Sequence, residues 1–277
     1  MYDYGYTTPS GAGTPRIRTS VKGLGIAAIV LLALDAAMAA LSVGLLAWRH
    51  SKLGQLLADV SIDPDQAQRA DQASRVAVGW FYIFTVATVV VFICWFWAAR
   101  NNAEAYFPEQ GTLGVGWSVG GWFVPLAGFM VPFVVARDVY RGTMAGRTAK
   151  PTSGGQITGW WWAAYVTFWF TGLFAFMKAG AAHEAVTRDE HLQELQATTM
   201  AGMVTLSVAT VAALLGIAYV AIVTKTQTSR FRDGLLQQDP YGYGMPYGYG
   251  TPLGSVQDAV PGRVQDAIPD NWQNPPR

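Results

Sequence analysis

Few side chains in this chain have both the type and the setting for chemistry. Asp35 lies near the middle of an apolar stretch, Leu24–Trp48. A carboxylate at bilayer depth costs about 3 kcal/mol and normally faces a protein interior or water. It suits a proton or cation site, a charge partner for Arg100 or Arg137, or a hydrogen-bonded group holding two helices together. Gly116-Trp117-Ser118-Val119-Gly120 matches the G-x-S-x-G pattern of a serine nucleophile. That pattern needs a strand–turn–helix setting and a histidine base. No strand is expected here, and His50, His183 and His191 fall on the far side of the expected membrane. His183, Glu184, Glu190, His191 and Glu194 look metal-like. Yet the two histidines stand about two helical turns apart, and no H-E-x-x-H occurs. No catalytic residue, metal ligand or cofactor is therefore expected. The remaining set is Arg100, Asn102, Glu104, Arg137, Asp138 and Arg141, with Trp117 and Trp122 between them. Arginine is the natural ligand of a phosphate, so this set suits a lipid headgroup or a protein partner. Its plainer role is a collar of ion pairs that pins the segment it flanks.

The elements that must position these residues are hydrophobic helices. Of 277 residues, 51% are hydrophobic and 13% charged, against about 25% charged in soluble domains. The deficit sits in long uncharged runs, which mark membrane spans. The expected fold is all-α, a polytopic integral membrane helix bundle over residues 24–225. Its hydrophobic segments are 24–48, 76–99, 116–136, 157–177 and 197–224. The tails, 1–23 and 226–277, are rich in Tyr, Gly and Pro and are expected to be disordered. Ala36, Ala40 and Gly44 offer a small-residue stripe on the first span. Cys94 is expected as a small buried hydrophobe. Ala179–Gln196 reads as one polar helix with Glu184 and Arg188 paired across a turn. A net charge of +1 gives no ground for nucleic-acid binding.

The third hydrophobic segment, Gly116–Asp138, is unlike the others. Gly116, Gly120, Gly121, Gly128, Pro125 and Pro132 break it. Broken backbone is tolerated at membrane depth where it is packed in protein or lines a cavity. The reading is four spans plus a re-entrant segment; the alternative is five spans. Lys and Arg divide thirteen to six between the two sides in either topology, so charge does not decide. Arg16, Arg18 and Lys22 before the first span favour both termini in the cytoplasm. In that arrangement Trp95, Trp97, Trp117, Trp122 and Trp160–Trp162 form a belt at the cytoplasmic face.

The run Phe92–Arg141 resembles the family named domain of unknown function 4328. Its pattern is present as Arg100, Asn102, Ala103 and Glu104, then Gly116, Trp117, Gly120, Trp122–Pro125, Pro132, Arg137 and Asp138. One departure is Ala127-Gly128-Phe129, where the family often has Ala-Asn-Leu. The resemblance implies an actinobacterial plasma-membrane protein and no known activity. The function expected is a non-enzymatic membrane scaffold or sensor that binds a cytosolic protein or an anionic lipid headgroup. The alternative is a small transporter or channel-like protein using Asp35 at the midplane. Oligomerisation stays open.

Overall fold

A computed structural model of the chain describes residues 20–58, 63–106, 111–124, 126–144, 154–184 and 187–238. The chain divides into two units. Met1–Leu235 holds the bundle; of Leu236–Arg277 the described part is the end of the last helix. The described residues form α1 (Lys22–Leu57), α2 (Pro64–Tyr106), α3 (Trp117–Gly120), a 3-10 turn (Ala127–Phe129), α4 (Val131–Met144), α5 (Gly154–Glu184) and α6 (Arg188–Gln238).

Three of these helices are long and apolar enough to cross a membrane: Lys22–Leu57, Asp65–Ala105 and Arg188–Arg232. That is the mark of a multi-pass membrane protein. The segment 157–177, expected as a further span, is helical but is not among the three. Its Trp, Tyr and Thr side chains lower its hydropathy, although Phe170, Leu173, Phe174 and Phe176 stand exposed along it. Exposed apolar side chains also coat α1, α2 and α6, among them Val30, Leu41, Ile83, Val86, Val211 and Leu214. Aliphatic surface on this scale marks contact with lipid or another protein rather than water.

The four long helices run alternately up and down. The start of α1 meets the end of α6, where a side chain at Gly25 would collide with Thr224. The end of α1 meets the start of α2 and α6. There Arg49 reaches Asp71 at 2.9 Å and Thr199 at 2.7 Å. Lys178 near the end of α5 lies 3.6 Å from Glu194 near the start of α6. Lys22 thus marks one end of the bundle, called here the near end, and Arg49 the far end.

The buried face of α1 is Ala28, Asp35, Ala36, Ala39, Ser42, Leu46 and Leu53. Most of its steps are three, four or seven residues, the spacing of helices that wrap around one another. The expected stripe of Ala36, Ala40 and Gly44 is not this face. Ala40 and Gly44 are exposed. Four-residue steps advance about 40° each on a 3.6-residue turn, so they rotate out of the contact. Cys94, expected buried, is exposed on α2. An apolar helix face against lipid and one against protein look alike in sequence.

The bundle has two cores. The near core is aromatic: Phe92, Trp95, Phe96, Trp161, Trp162 and Tyr219, with Val135 and Val139 of α4. Tyr219 stacks on Trp161 at a 5.3 Å centroid distance. The far core is smaller: Ala39, Leu46, Phe81, Leu206 and Ala209. Trp95, Trp161 and Trp162 are therefore core residues, whereas Trp97, Trp117 and Trp160 face outward. The expected tryptophan belt is split between interior and surface.

Helix ends also depart from expectation. α1 continues past Trp48 to Leu57, and α6 runs on to Gln238, beyond the point where a tail is expected. The polar helix expected over 179–196 is broken, since α5 ends at Glu184 and α6 begins at Arg188. The cause is a capping box. The Thr187 N–H donates to Glu190 Oε2 (3.1 Å), and the Glu190 N–H donates to Thr187 Oγ1 (3.2 Å). Glu184 and Arg188 do not share one helix.

Candidate functional site

The Gly/Pro segment is a hairpin whose two ends meet. At its entry the Thr112 N–H donates to Asp138 Oδ2 at 2.8 Å, and the Thr112 hydroxyl donates to Asp138 Oδ1 at 3.2 Å. Asp138, on α4, is 3% exposed. Beside this contact Arg100 donates from Nη2 to the Leu113 carbonyl (2.8 Å) and pairs through Nη1 with Glu104 Oε2 (2.6 Å). Arg100 is 2% exposed. A Cβ at position 111 would collide with the Arg100 guanidinium, which would have to shift.

From this latch the hairpin dips into the bundle. Trp122 makes edge contacts with Phe92 and Phe96 of α2 and with Trp162 and Tyr165 of α5. Phe129 stacks on Phe170 at 5.9 Å, while Phe133, on the way back, stacks on Trp162. Phe170 lies eight residues beyond Trp162 on α5, so the hairpin descends about 12 Å at about 1.5 Å per residue. Its tip carries exposed Phe123, Leu126 and Met130. Leu126 has φ 63° and ψ −47°, a rare conformation for a residue with a Cβ. Pro132 sits in the first turn of α4, where proline is tolerated. Pro125 lies outside the described residues. Gly121 is tight, as an added Cβ would lie 2.8 Å from the Trp117 carbonyl oxygen. Gly116 and Gly120 have open space around them and make no close approach.

α4 returns to the near end and is bolted to α6. The Tyr219 hydroxyl donates to the Ala136 carbonyl (2.9 Å). Gln227, almost wholly buried, donates to the Ala99 carbonyl (3.0 Å) and to Thr143 Oγ1 (2.9 Å) and accepts from Asn102 (3.3 Å). The residues expected as one binding set are thus divided. Arg100, Asn102, Glu104 and Asp138 are spent on internal contacts. Trp117 and Arg141 are exposed and Arg137 is half-buried. Among the described residues no hydrogen bond reaches the buried Arg137 Nε.

Ser118 of the G-x-S-x-G pattern lies buried on the one-turn helix α3, and its hydroxyl donates to the Val115 carbonyl (2.7 Å). Glu190 is used in the capping box and Glu194 faces Lys178, while the side chains of His183 and Glu184 lie outside the described residues.

Between the two cores lies a cavity of about 260 Å³. Its aromatic walls include Phe81, Phe92, Trp122, Trp161, Tyr165 and Phe168. Opposite them α6 presents Ala209, Ala212 and Ala213, whose small side chains leave the space. Asp35 projects into it from α1, with Thr85 and Thr88 of α2 beside it. Asp35 is 6% exposed. Among the described residues no ion pair joins it to Arg100 or Arg137. Thr85 Oγ1 is 3.4 Å from Asp35 Oδ1 but only 2.9 Å from the Phe81 carbonyl, and Thr88 Oγ1 lies 2.9 Å from the Phe84 carbonyl. Both threonines are also hydrogen-bond partners of the Asp35 carboxyl, so its polar neighbours here are two neutral hydroxyls. Sequence reasoning singled out Asp35 but missed Thr85, Thr88 and the aromatic box. The available signal was the T-x-x-T pair, one turn apart on an otherwise uncharged span.

No curated protein and no solved structure matches the chain. The conserved-family comparison does give a match; it takes in α2, the hairpin, α5 and most of α6 and leaves out α1 with Asp35. On that match, over residues 58–225, the chain belongs to the family described as domain of unknown function DUF4328.

Proposed function

We propose that this chain is a four-span membrane protein whose Gly/Pro hairpin re-enters the bilayer from one side, and that it works as a non-enzymatic sensor or scaffold. The observation that carries the reading is the pair of hydrogen bonds between Thr112 and Asp138, which bring the two ends of the segment together. A segment so latched enters and leaves at one face. α5 then counts as the fourth span, supported by its exposed Phe170, Leu173, Phe174 and Phe176. The even number of spans puts both termini on one side, which the cations before α1 make the cytoplasm. On that side Trp117, Arg137 and Arg141 are the groups free to meet an anionic lipid headgroup or an acidic protein surface.

The test is cysteine accessibility in intact cells, on a Cys94→Ala background. Gly114→Cys and Arg141→Cys, at the hairpin's exposed ends, are expected to stay unlabelled by a membrane-impermeant thiol reagent until permeabilisation. Asp63→Cys, at the exposed far end, is expected to label at once. Labelling of Gly114→Cys and Arg141→Cys from opposite sides means that the segment crosses, and the proposal is then wrong.

A second reading, a transporter, draws on the position of Asp35 in a cavity between the cores. Substrate flux in proteoliposomes that Asp35→Asn abolishes and Arg141→Ala spares favours it.

A further inference from the structure

We infer that the cavity between the two cores binds a monovalent organic cation, an ammonium group carried on a small apolar body, with Asp35 as its counter-charge. The inference deepens the sensor reading and rests on its membrane setting.

Charge comes first. Among the described residues Asp35 is the one acidic or basic side chain in the lining. Its polar neighbours are the neutral hydroxyls of Thr85 and Thr88, which also bond to the Phe81 and Phe84 carbonyls of their own helix. A carboxylate buried at this depth normally pairs with charge as well as with polar groups, and among the described residues no cationic side chain pairs with it. The site calls for a positive group from outside.

The walls agree. Phe81, Phe92, Trp161 and Tyr165 present aromatic surface around the same space. Aromatic faces attract a desolvated ammonium, and tryptophan does so best. An inorganic cation would need oxygen ligands, and apart from Asp35 the lining offers only the two threonines and the Tyr165 hydroxyl. A phosphate or carboxylate ligand would be repelled. Size sets the rest. An apolar cavity on the order of 150 Å³ holds a benzene; about 260 Å³ admits an aromatic ring with a small ammonium attached. The route in is sideways. Val89, Phe123 and Trp169 line the cavity and are also exposed on the bundle's outer surface between α2 and α5. A cation with an apolar body that partitions into the bilayer reaches the site there.

Benzyltrimethylammonium is a suitable probe, and neopentylbenzene is its uncharged carbon counterpart of the same shape. The full chain in detergent micelles is titrated with each, both expressed as mole fraction in the micelle. Binding is read from the fluorescence of the tryptophans, three of which (Trp122, Trp161 and Trp169) line the cavity. The expected result is saturable binding of the cation, at least about tenfold tighter than the neutral counterpart. Asp35→Asn, which keeps the shape, is expected to weaken the cation at least about tenfold and leave the neutral ligand within about twofold. Equal binding of cation and neutral counterpart to the native chain overturns the proposal, and so does an Asp35→Asn variant that binds the cation as well as the native chain. If Asp35→Asn fails to fold, the comparison of the two ligands on the native chain still decides. Failure here is separable from failure of the topology, which the thiol labelling tests without any ligand.

Discussion

Asp138 accepts two hydrogen bonds from one residue and lies almost wholly out of water. Replacing it with Asn keeps the volume but removes the charge and half of the acceptor capacity. Asp138→Asn is expected to cost roughly 1–3 kcal/mol, seen as a lower midpoint of thermal unfolding in detergent. Arg100→Met is expected to cost more, roughly 3 kcal/mol, because it leaves the Leu113 carbonyl and Glu104 without their partner. The same measurement checks it. Charged residues such as these were legible in the sequence because a charge beside an apolar run is conspicuous. Gln227 and Thr143 were not. Their types are common at helix ends, and nothing in the chain alone says that four carbonyl, amide and hydroxyl groups from three helices converge on one point.

Among the elements, α1 and α6 meet at Gly25, where the Thr224 side chain occupies the space of a missing Cβ. Thr224 in turn accepts a hydrogen bond from Trp95 Nε1 at 3.0 Å. Gly25→Val is therefore expected to push the helices apart and disturb the near core, at roughly 1–3 kcal/mol. Lost tryptophan order in near-ultraviolet circular dichroism is the readout. Glu190→Ala removes one half of the capping box and is expected to cost roughly 1 kcal/mol, measured as faster hydrogen exchange in the first turn of α6. The capping box was present in the sequence as Thr187-x-x-Glu190, but the polar run around it hid the break. Face assignment was the weaker side of the reading. On helices that are apolar all round, periodicity does not separate the lipid side from the core side. That is why Ala40, Gly44 and Cys94 were expected inside and lie outside.

At the scale of the whole molecule, the hydrophobic segments and the anomaly of the third were legible, because length and composition determine them. The cavity was not. It arises where Ala209, Ala212 and Ala213 on one helix face large rings on two others, and such a pairing exists only once the helices are packed. Filling it should help the apo protein and harm the liganded one. Ala212→Leu is expected to raise the unfolding midpoint by an amount worth roughly 1 kcal/mol and to abolish the fluorescence response to benzyltrimethylammonium.

Along the bundle axis the cavity lies between the two cores. The aromatic core stands on one side of it and the Phe81, Leu206 and Ala209 core on the other. For a ligand that enters sideways from the bilayer, as inferred above, those two cores stand between it and the two ends of the bundle. On the sensor reading proposed above, occupancy of the cavity would follow the ligand's activity in the surrounding lipid, and the hairpin, whose Trp122 and Phe123 line the cavity, would be the element that a bound ligand touches.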